Sequence, residues 1–215
     1  MITRLLIIAN VLAYLWEIRV AGSGMLSGMG GGNLDAVTAA GALAPVQVLV
    51  DHQWWRIITS GFLHGGLIHI TLNMVSLWVL GRFVEAIAGP ARMFAIYSLS
   101  LVASGLGVVY FSAPQVSTLG ASGAIFGLFG ALFAMGLKLG KPGMQLIRDN
   151  IGILVLNLIM TFTIAEISKA AHVAGLIAGF IITLLIYFPP KRVQPVVMDA
   201  SSGNAYETEY QAPPR

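Results

Sequence analysis

The sequence contains no cysteine and carries little charge, and both absences exclude classes of protein. Without cysteine, thiol catalysis, disulfide bonds and cysteine-ligated metals are ruled out. Charged residues make up 10% of the chain, whereas soluble domains contain about 25%. The chain is instead 57% hydrophobic, with a mean hydropathy of +0.83. These values indicate a membrane protein whose apolar residues form spanning segments.

Six segments of the chain are largely apolar and close to the length of about 20 residues that a membrane-spanning helix requires. With approximate boundaries they cover residues 2–20, 66–84, 91–111, 121–137, 147–165 and 170–188. We therefore predict an all-α membrane protein whose core, residues 1–189, is a bundle of six transmembrane helices.

The first segment has an alternative interpretation as a signal peptide. Arg4 is followed by an apolar stretch and by small residues at 21–23, the order found around a signal-peptide cleavage site. Glu17 and Arg19 lie between that stretch and any such cleavage site. Their position favours a spanning helix.

The distribution of basic residues predicts the orientation, because Lys and Arg are enriched in cytoplasmic loops. With a cytoplasmic N-terminus, only three of the twelve basic residues would lie outside, namely Arg19, Arg56 and Lys169. The other nine would lie inside: Arg4, Arg82, Arg92, Lys138, Lys141, Arg148, Lys191, Arg192 and Arg215. Both chain ends are therefore predicted to be cytoplasmic. No basic run is present, and we predict no nucleic-acid partner.

Two regions differ in composition from the spans. Residues 21–65 form a long external connection that begins glycine-rich (AGSGMLSGMGGG) and ends aromatic and amphipathic (DHQWWRIITSGFLHGG). We expect it to lie partly in the membrane interface. Residues 190–215 are polar, and we expect a disordered cytoplasmic tail there.

Polar side chains inside spans are energetically costly, so each is a functional hypothesis. His69 and Asn73 lie four residues apart in HITLN, which places them on one helix face. The alternative role for this pair is hydrogen bonding between helices, which polar residues in membrane bundles commonly provide.

His172 lies at the start of the last span, beside a stripe of small residues. Ala171, Gly175 and Gly179 recur every four residues, a spacing that lets another helix approach closely. His172 borders this stripe and should face the neighbouring helix. The alternative is a buried histidine with a purely structural role.

Ser122 lies in the stretch TLGASGAIFGLFG, where a serine between glycines begins an apolar segment. Taken alone, it would be interpreted as a helix N-cap. Gly120 and Gly123 would allow a substrate backbone to come near, because they carry no side chain.

The combination of these groups points to acyl transfer. The predicted external ends of three spans bring Ser122, His172 and the pair His69 and Asn73 to a similar depth. They supply a nucleophile, a general base and oxyanion donors. No carboxylate lies within five residues of Ser122 or His172, so we predict a Ser–His dyad rather than a triad.

The sequence resembles the rhomboid intramembrane serine proteases from residue 1 to about 189. The resemblance is carried by several motifs in a shared order and spacing: WR at 55–56, HGGLIH at 64–69, HITLN at 69–73, LGRFVEAIAG at 80–89, GASG at 120–123 and AHVAGLIAG at 171–179. It implies that Ser122 is the nucleophile and His172 the base. It also implies that His69, Asn73 and the Ser122 backbone N–H form the oxyanion hole.

The resemblance also implies supporting roles. Phe126 matches the aromatic residue on which the catalytic histidine stacks, and Trp55 with Arg56 matches a structural pair in the first external loop. His64 matches a structural hydrogen bonder near the site, with an ordinary loop histidine as the alternative. Glu85 matches a polar anchoring position. Lys169 departs from the family pattern, where some members carry Asn or Asp.

The implied function is that of a serine endopeptidase that cleaves membrane-protein substrates in or near their transmembrane segments. The protease acts in the lipid bilayer and requires no metal or organic cofactor. Two alternatives stay open: a catalytically silent relative that binds membrane proteins, and a small transporter. The transporter would need a membrane-buried carboxylate, which we do not expect in this chain. The N-terminus does not resemble a transit peptide, and we expect a bacterial cytoplasmic membrane.

Overall fold

The computed structural model describes residues 1–26 and 32–189, with two short strands beyond them. These strands, β1 (Val196–Met198) and β2 (Ala205–Glu207), pair in antiparallel fashion. The remainder of the predicted disordered tail lies outside the described residues. Residues 27–31 of the glycine-rich stretch also lie outside the described residues.

Ten α-helices make up most of the described part of the chain. They are α1 (Ile2–Ala21), α2 (Leu34–Gly41), α3 (Pro45–Leu49), α4 (Arg56–Thr59), α5 (Leu67–Ser76), α6 (Arg82–Ala88), α7 (Pro90–Phe111), α8 (Ser122–Lys138), α9 (Lys141–Thr163) and α10 (Lys169–Ile186). Short 3₁₀ turns occur at Ser23–Leu26 and Ser60–Phe62. A π-turn at Leu77–Gly81 joins α5 to α6, so Leu67–Ala88 is one continuous helix.

Within the described residues, four helices are long and apolar enough to cross a membrane: Leu67–Ala88, Pro90–Phe111, Gly143–Thr163 and Lys169–Ile186. Helix α8 is also apolar, but its 17 residues make it only about 25 Å long. Helix α1 has 20 residues, but Arg4, Glu17 and Arg19 all lie within it. The chain is an integral membrane protein built as a helical bundle, and the full count of six spans stays a prediction.

Two predicted boundaries differ from the structure by more than two residues. The fifth segment was expected to begin at 147, but α9 begins at Lys141 with a proline in its first turn, a position that proline favours. The second segment was expected to end at 84, but its helix continues to Ala88. It stops at Gly89, whose φ of 86° is a conformation that glycine adopts readily.

The amino end of α1 is fastened to α6 by Glu85. Its carboxylate accepts the backbone N–H groups of Ile2 (2.8 Å) and Thr3 (3.0 Å) and the Thr3 hydroxyl (2.7 Å). The α-amino group of Met1 donates to the same carboxylate. Because the first N–H groups of a helix lack intrahelical acceptors, Glu85 acts as a cap supplied by another helix.

Helix α8 occupies the centre of the bundle. Thirteen of its seventeen residues are buried, and it packs between α7 and α10. Glycines allow the close approach to α7. A methyl group added to Gly123 would lie 1.8 Å from the Ser104 Oγ, and one added to Gly127 would lie 2.2 Å from the Ser100 Oγ.

The backbones of α8 and α10 are in direct contact. A methyl group added to Gly175 would lie 2.0 Å from the carbonyl oxygen of Gly123, and one added to Gly179 would lie 2.0 Å from that of Gly127. Ordinary contacts between non-bonded carbon atoms are about 3.5–4.0 Å. Neither position can therefore carry a side chain unless the two helices separate. Ala171, which is buried, completes this small-residue face of α10.

We predict that Gly179→Ala destabilises the protein, because the added methyl group pushes α10 away from α8. Such overpacking costs about 1–3 kcal/mol, and thermal unfolding in detergent, followed by circular dichroism, should show a lower midpoint. Gly152→Ala on α9 is the matched control, since nothing lies within 4 Å of the added methyl group. Equal midpoints for the two variants would contradict the proposed helix contact.

Candidate active site

Ser122 begins α8 and directs its hydroxyl group at α10. Its Oγ lies 2.8 Å from Nε2 of His172, fifty residues later in the chain. Ala121 occupies the N-cap position, and no side chain caps this helix end. The N-cap interpretation of Ser122 is therefore wrong. A serine hydroxyl within hydrogen-bond distance of an imidazole is the arrangement of a nucleophile and its base.

Three helices hold the ring of His172, which is only 7% exposed. It stacks on Phe126, with ring centroids 4.0 Å apart and an interplanar angle of 16°. Phe126 lies one turn after Ser122, so α8 supplies both the hydroxyl group and the surface under the imidazole. On the other side of the ring, Nδ1 lies 2.8 Å from Oγ1 of Thr161 on α9.

Thr161 carries no signal in the sequence that would mark it as part of a site. A single threonine in an apolar helix belongs to no motif, and its partner is eleven residues away in another helix. Only the approach of α9 to α10 brings the two side chains together.

His69 lies beside the loop that precedes Ser122. The Gly65 N–H donates to Nδ1 of His69 (3.3 Å), which leaves the ring proton on Nε2. A methyl group added to Gly120 would lie 2.8 Å from this Nε2 and 3.7 Å from the Ser122 Oγ. Gly120 also has a φ of 121°, which side chains rarely allow. Only glycine fits at 120, and His69 and Ser122 flank the same small space.

Asn73 is buried, and its side chain bonds to its own helix. The Nδ2 group donates to the carbonyl oxygen of His69 (2.9 Å), which leaves its second proton for another acceptor. Its Oδ1 has no hydrogen-bond partner among the described residues. Among the residues that the structure describes, no direct hydrogen bond joins Asn73 to Ser122.

His64 is fully buried and packs edge-to-face against His69, with ring centroids 5.1 Å apart. Burial lowers the pKa of His64 to about 3, so the ring is neutral. Its backbone N–H donates to both carboxylate oxygens of Glu17 (2.9 and 3.1 Å). The role of His64 as a structural hydrogen bonder near the site stays a prediction.

Glu17 is a carboxylate within the first predicted span, where we expected no buried carboxylate from the sequence. It is fully buried in α1, and its acceptor oxygens are occupied by the His64 N–H, 47 residues away. This contact fastens α1 to the segment before α5.

Among the described residues, no three histidine or carboxylate side chains converge on a metal position.

Arg56 organises the loop between α2 and α4. Its guanidinium is buried and donates to the carbonyl oxygens of Thr38 (2.9 Å), Ala39 (2.8 Å) and Ala42 (2.7 Å). The ring of Trp55 lies 4.7 Å from the guanidinium carbon, a distance typical of a cation–π contact. These bonds close residues 38–56 into a folded unit.

This loop is tied directly to the approach to Ser122. Leu43 and Thr118 exchange two backbone hydrogen bonds (2.9 and 2.8 Å), and the Gly120 N–H donates to the carbonyl oxygen of Ser60 (2.8 Å). The backbone that presents Ser122 is thus held by a loop from a distant part of the chain.

A protein-family model described as a rhomboid domain matches residues 51–188. The chain belongs to the rhomboid family. The matched range contains Ser122, His172, His69 and Asn73, so all four predicted side chains of the site lie inside the rhomboid domain.

Three curated proteins illustrate what this rhomboid is similar to. Rhomboid protease GluP of Bacillus subtilis (strain 168) is 34% identical over 161 residues, 74% of this chain and 31% of GluP. RHOMBOID-like protein 5 of Arabidopsis thaliana is 31% identical over 149 residues, 67% of this chain and 48% of that protein. Rhomboid protease GlpG of Photorhabdus laumondii is 33% identical over 135 residues, 61% of this chain and 47% of GlpG. This rhomboid therefore aligns with about a third to a half of each relative's length.

We predict that Arg56→Lys loosens the loop at residues 38–56 of this rhomboid, because an ammonium group cannot reproduce the guanidinium fork. Each buried carbonyl left without a donor costs about 1–3 kcal/mol. Limited proteolysis read by mass spectrometry should show new cleavage between residues 38 and 56. Arg19→Lys, at an exposed position, is the control. Unchanged protection in Arg56→Lys would show that the loop does not depend on these bonds.

Proposed function

We propose that this rhomboid is a serine endopeptidase that cleaves other membrane proteins in or near their transmembrane segments. The observation that carries the proposal is the 2.8 Å distance between the Ser122 Oγ and the His172 Nε2. Two of the relatives described above are named rhomboid proteases, which supports the same activity.

In the proposed reaction, Nε2 of His172 accepts the hydroxyl proton of Ser122 as Oγ attacks the scissile carbonyl carbon. The former carbonyl oxygen becomes an oxyanion in a tetrahedral intermediate. A base that is already hydrogen-bonded to its nucleophile needs no rearrangement before the proton moves. Stacking on Phe126 keeps the imidazole in position while its charge changes.

The oxyanion is proposed to bind N–H groups around the space beside Gly120. His69 offers Nε2–H, since its Nδ1 accepts the Gly65 N–H. The backbone N–H of Ser122 lies at the start of α8, where helix N–H groups have no intrahelical acceptor and the dipole favours negative charge. Asn73 offers its second Nδ2 proton. Losing one such donor typically costs about 10²–10³ in rate.

The intermediate collapses when the His172 imidazolium returns its proton to the leaving amine. The carbon–nitrogen bond breaks, and an acyl ester to Ser122 remains. Water then attacks this ester while Nε2 of His172 accepts a proton from it. The imidazolium returns that proton to the Ser122 Oγ as the carbon–oxygen bond breaks, which releases the carboxylic acid and restores the serine. The dyad performs both halves of the reaction without a carboxylate partner.

The proposed substrate is a transmembrane helix, and the site is proposed to open to the external side of a bacterial cytoplasmic membrane, with both chain ends cytoplasmic. GluP and GlpG come from bacteria, which supports this location. The external loop exposes Trp54, Trp55 and Ile58, as expected for a segment in the membrane interface.

The two alternative functions gain no support. A catalytically silent binder would not need Ser122 and His172 in contact, yet they are hydrogen-bonded. A transporter would need a carboxylate free to bind its coupled ion, whereas the Glu17 carboxylate is occupied by the His64 N–H.

We predict that a fluorophosphonate labels the detergent-solubilised protein at Ser122, because the dyad makes this hydroxyl a nucleophile. Peptide mapping by mass spectrometry should locate the adduct. Labelling should be abolished in Ser122→Ala and slowed about 10²- to 10⁴-fold in His172→Ala, the range that a general base contributes.

Ser117→Ala is the matched control, since Ser117 is an exposed serine five residues earlier and should not affect labelling. Absence of a Ser122 adduct, in protein that still shows a cooperative thermal transition, would disprove the proposed activity.

We predict that substrate helices with glycine near their external end are cleaved faster than leucine-only helices. A spanning helix hides its backbone in intrahelical hydrogen bonds and must unwind locally before attack. Each glycine weakens a helix by about 1 kcal/mol, which corresponds to a rate increase of about fivefold. Cleavage in reconstituted vesicles should be compared for the two helices. Equal rates would rule out unwinding as a determinant of cleavage.

A further inference from the structure

Helix α9 directs one buried polar side chain into the bundle. Most of its described residues are exposed or half-buried, and the three buried ones are Gly143, Leu154 and Thr161. Buried hydroxyl groups require hydrogen-bond partners. Thr161 has two, the carbonyl oxygen of Asn157 at 2.7 Å and Nδ1 of His172 at 2.8 Å.

The Thr161 hydroxyl carries one proton, and its two partners determine where that proton lies. The backbone carbonyl oxygen of Asn157 can only accept a hydrogen bond. The 2.7 Å contact therefore requires the Thr161 hydroxyl proton to point toward this oxygen. Oγ1 is then an acceptor toward His172, and the proton between them must belong to Nδ1. If the hydroxyl proton pointed toward Nδ1 instead, Oγ1 of Thr161 and the carbonyl oxygen of Asn157 would lie 2.7 Å apart with no hydrogen between them.

We propose that Thr161 is a positioning residue that holds His172 in the Nδ1–H tautomer. In this tautomer Nε2 has a free lone pair and accepts the hydroxyl proton of Ser122. The opposite tautomer would present Nε2–H to the serine and could not act as a base. The inference rests on the proposed protease function. It adds a residue from a third helix, α9, to the proposed dyad on α8 and α10.

The hydrogen bond between Nδ1 of His172 and Oγ1 of Thr161 also stabilises the charged imidazolium form of His172. When Nε2 takes the serine proton, the imidazolium keeps its Nδ1–H donated to Oγ1 of Thr161. No carboxylate hydrogen-bonds to His172 in residues 1–26 and 32–189, so a neutral hydroxyl takes the position that an aspartate holds in a Ser–His–Asp triad. The Thr161 hydroxyl keeps its own proton and donates it to the Asn157 carbonyl oxygen throughout, and Thr161 therefore orients His172 without exchanging a proton.

The test compares three variants of the full-length protein in detergent. Thr161→Val removes the hydroxyl group, and we expect fluorophosphonate labelling of Ser122 to slow by about tenfold, the upper range for one neutral hydrogen bond. Thr161→Ser restores the hydroxyl group and should label within about twofold of the wild-type rate. Thr163→Val is the matched control. Thr163 makes the same bond to the carbonyl four residues earlier, Ile159 (2.8 Å), but it is exposed and is not hydrogen-bonded to His172 in the described structure.

A second measurement reads the tautomer directly and does not depend on activity. The chain contains four histidines, so the ring-nitrogen NMR signals of ¹⁵N-histidine protein can be assigned by substitution, with His172→Ala identifying those of His172. We expect a protonated Nδ1 and a bare Nε2 in the wild type and in Thr161→Ser. In Thr161→Val the proton should move to Nε2, because Nδ1–H has lost its acceptor.

The outcomes separate this inference from the proposed function. Failure of the wild type to label at Ser122 would overturn the protease activity, while the tautomer measurement would still decide the role of Thr161. An Nε2–H tautomer in the wild type, or an unchanged tautomer and labelling rate in Thr161→Val, would overturn the inference. Equal slowing in Thr161→Ser or in Thr163→Val would also overturn it, since the effect would then come from the packing of α9.

Discussion

The direct contact between the backbones of α8 and α10 is the constraint on which the rest of the site depends. Gly175 and Gly179 lie so near the carbonyl oxygens of Gly123 and Gly127 that a methyl group would stand 2.0 Å from each of them. Ser122 and His172, the proposed nucleophile and base, lie on these two helices, so their separation is set by this contact. A displacement of about 1 Å can cost 10²-fold in rate, which explains why small residues line both surfaces.

The loop side of the site, around Arg56 and Gly120, is built by polar contacts instead of close packing. The Arg56 guanidinium donates hydrogen bonds to three carbonyl oxygens of the loop. Shortly after this loop, the carbonyl oxygen of Ser60 accepts the Gly120 N–H. Gly120 leaves room for His69. The apolar bundle thus fixes the proposed dyad, whereas the folded loop fixes the backbone beside the proposed oxyanion position.

Much of this organisation could be predicted from the sequence, because helix length, small-residue spacing and short motifs are local properties. The third and sixth segments, predicted at 91–111 and 170–188, agree closely with Pro90–Phe111 and Lys169–Ile186. The fifth helix begins earlier than predicted, because its polar first turns lie before the apolar run that marks the membrane.

The contacts that the sequence did not reveal are those made by single residues across the fold. Glu17 bonds to a backbone N–H rather than to a charged partner, and Thr161 meets His172 only through helix packing. Neither belongs to a motif, and no charge pattern connects them with their partners. Such contacts depend on the relative position of helices, which hydrophobic periodicity does not determine.

The most direct test of the proposed chemistry is a crystal structure of the protein with a phosphonate bound to the serine, in which the phosphonyl oxygen stands in for the oxyanion. We predict a covalent bond to the Ser122 Oγ, with the phosphonyl oxygen about 2.7–3.1 Å from Nε2 of His69 and from the Ser122 backbone N–H. An adduct on another residue, or a phosphonyl oxygen directed away from His69, would contradict the proposed active site.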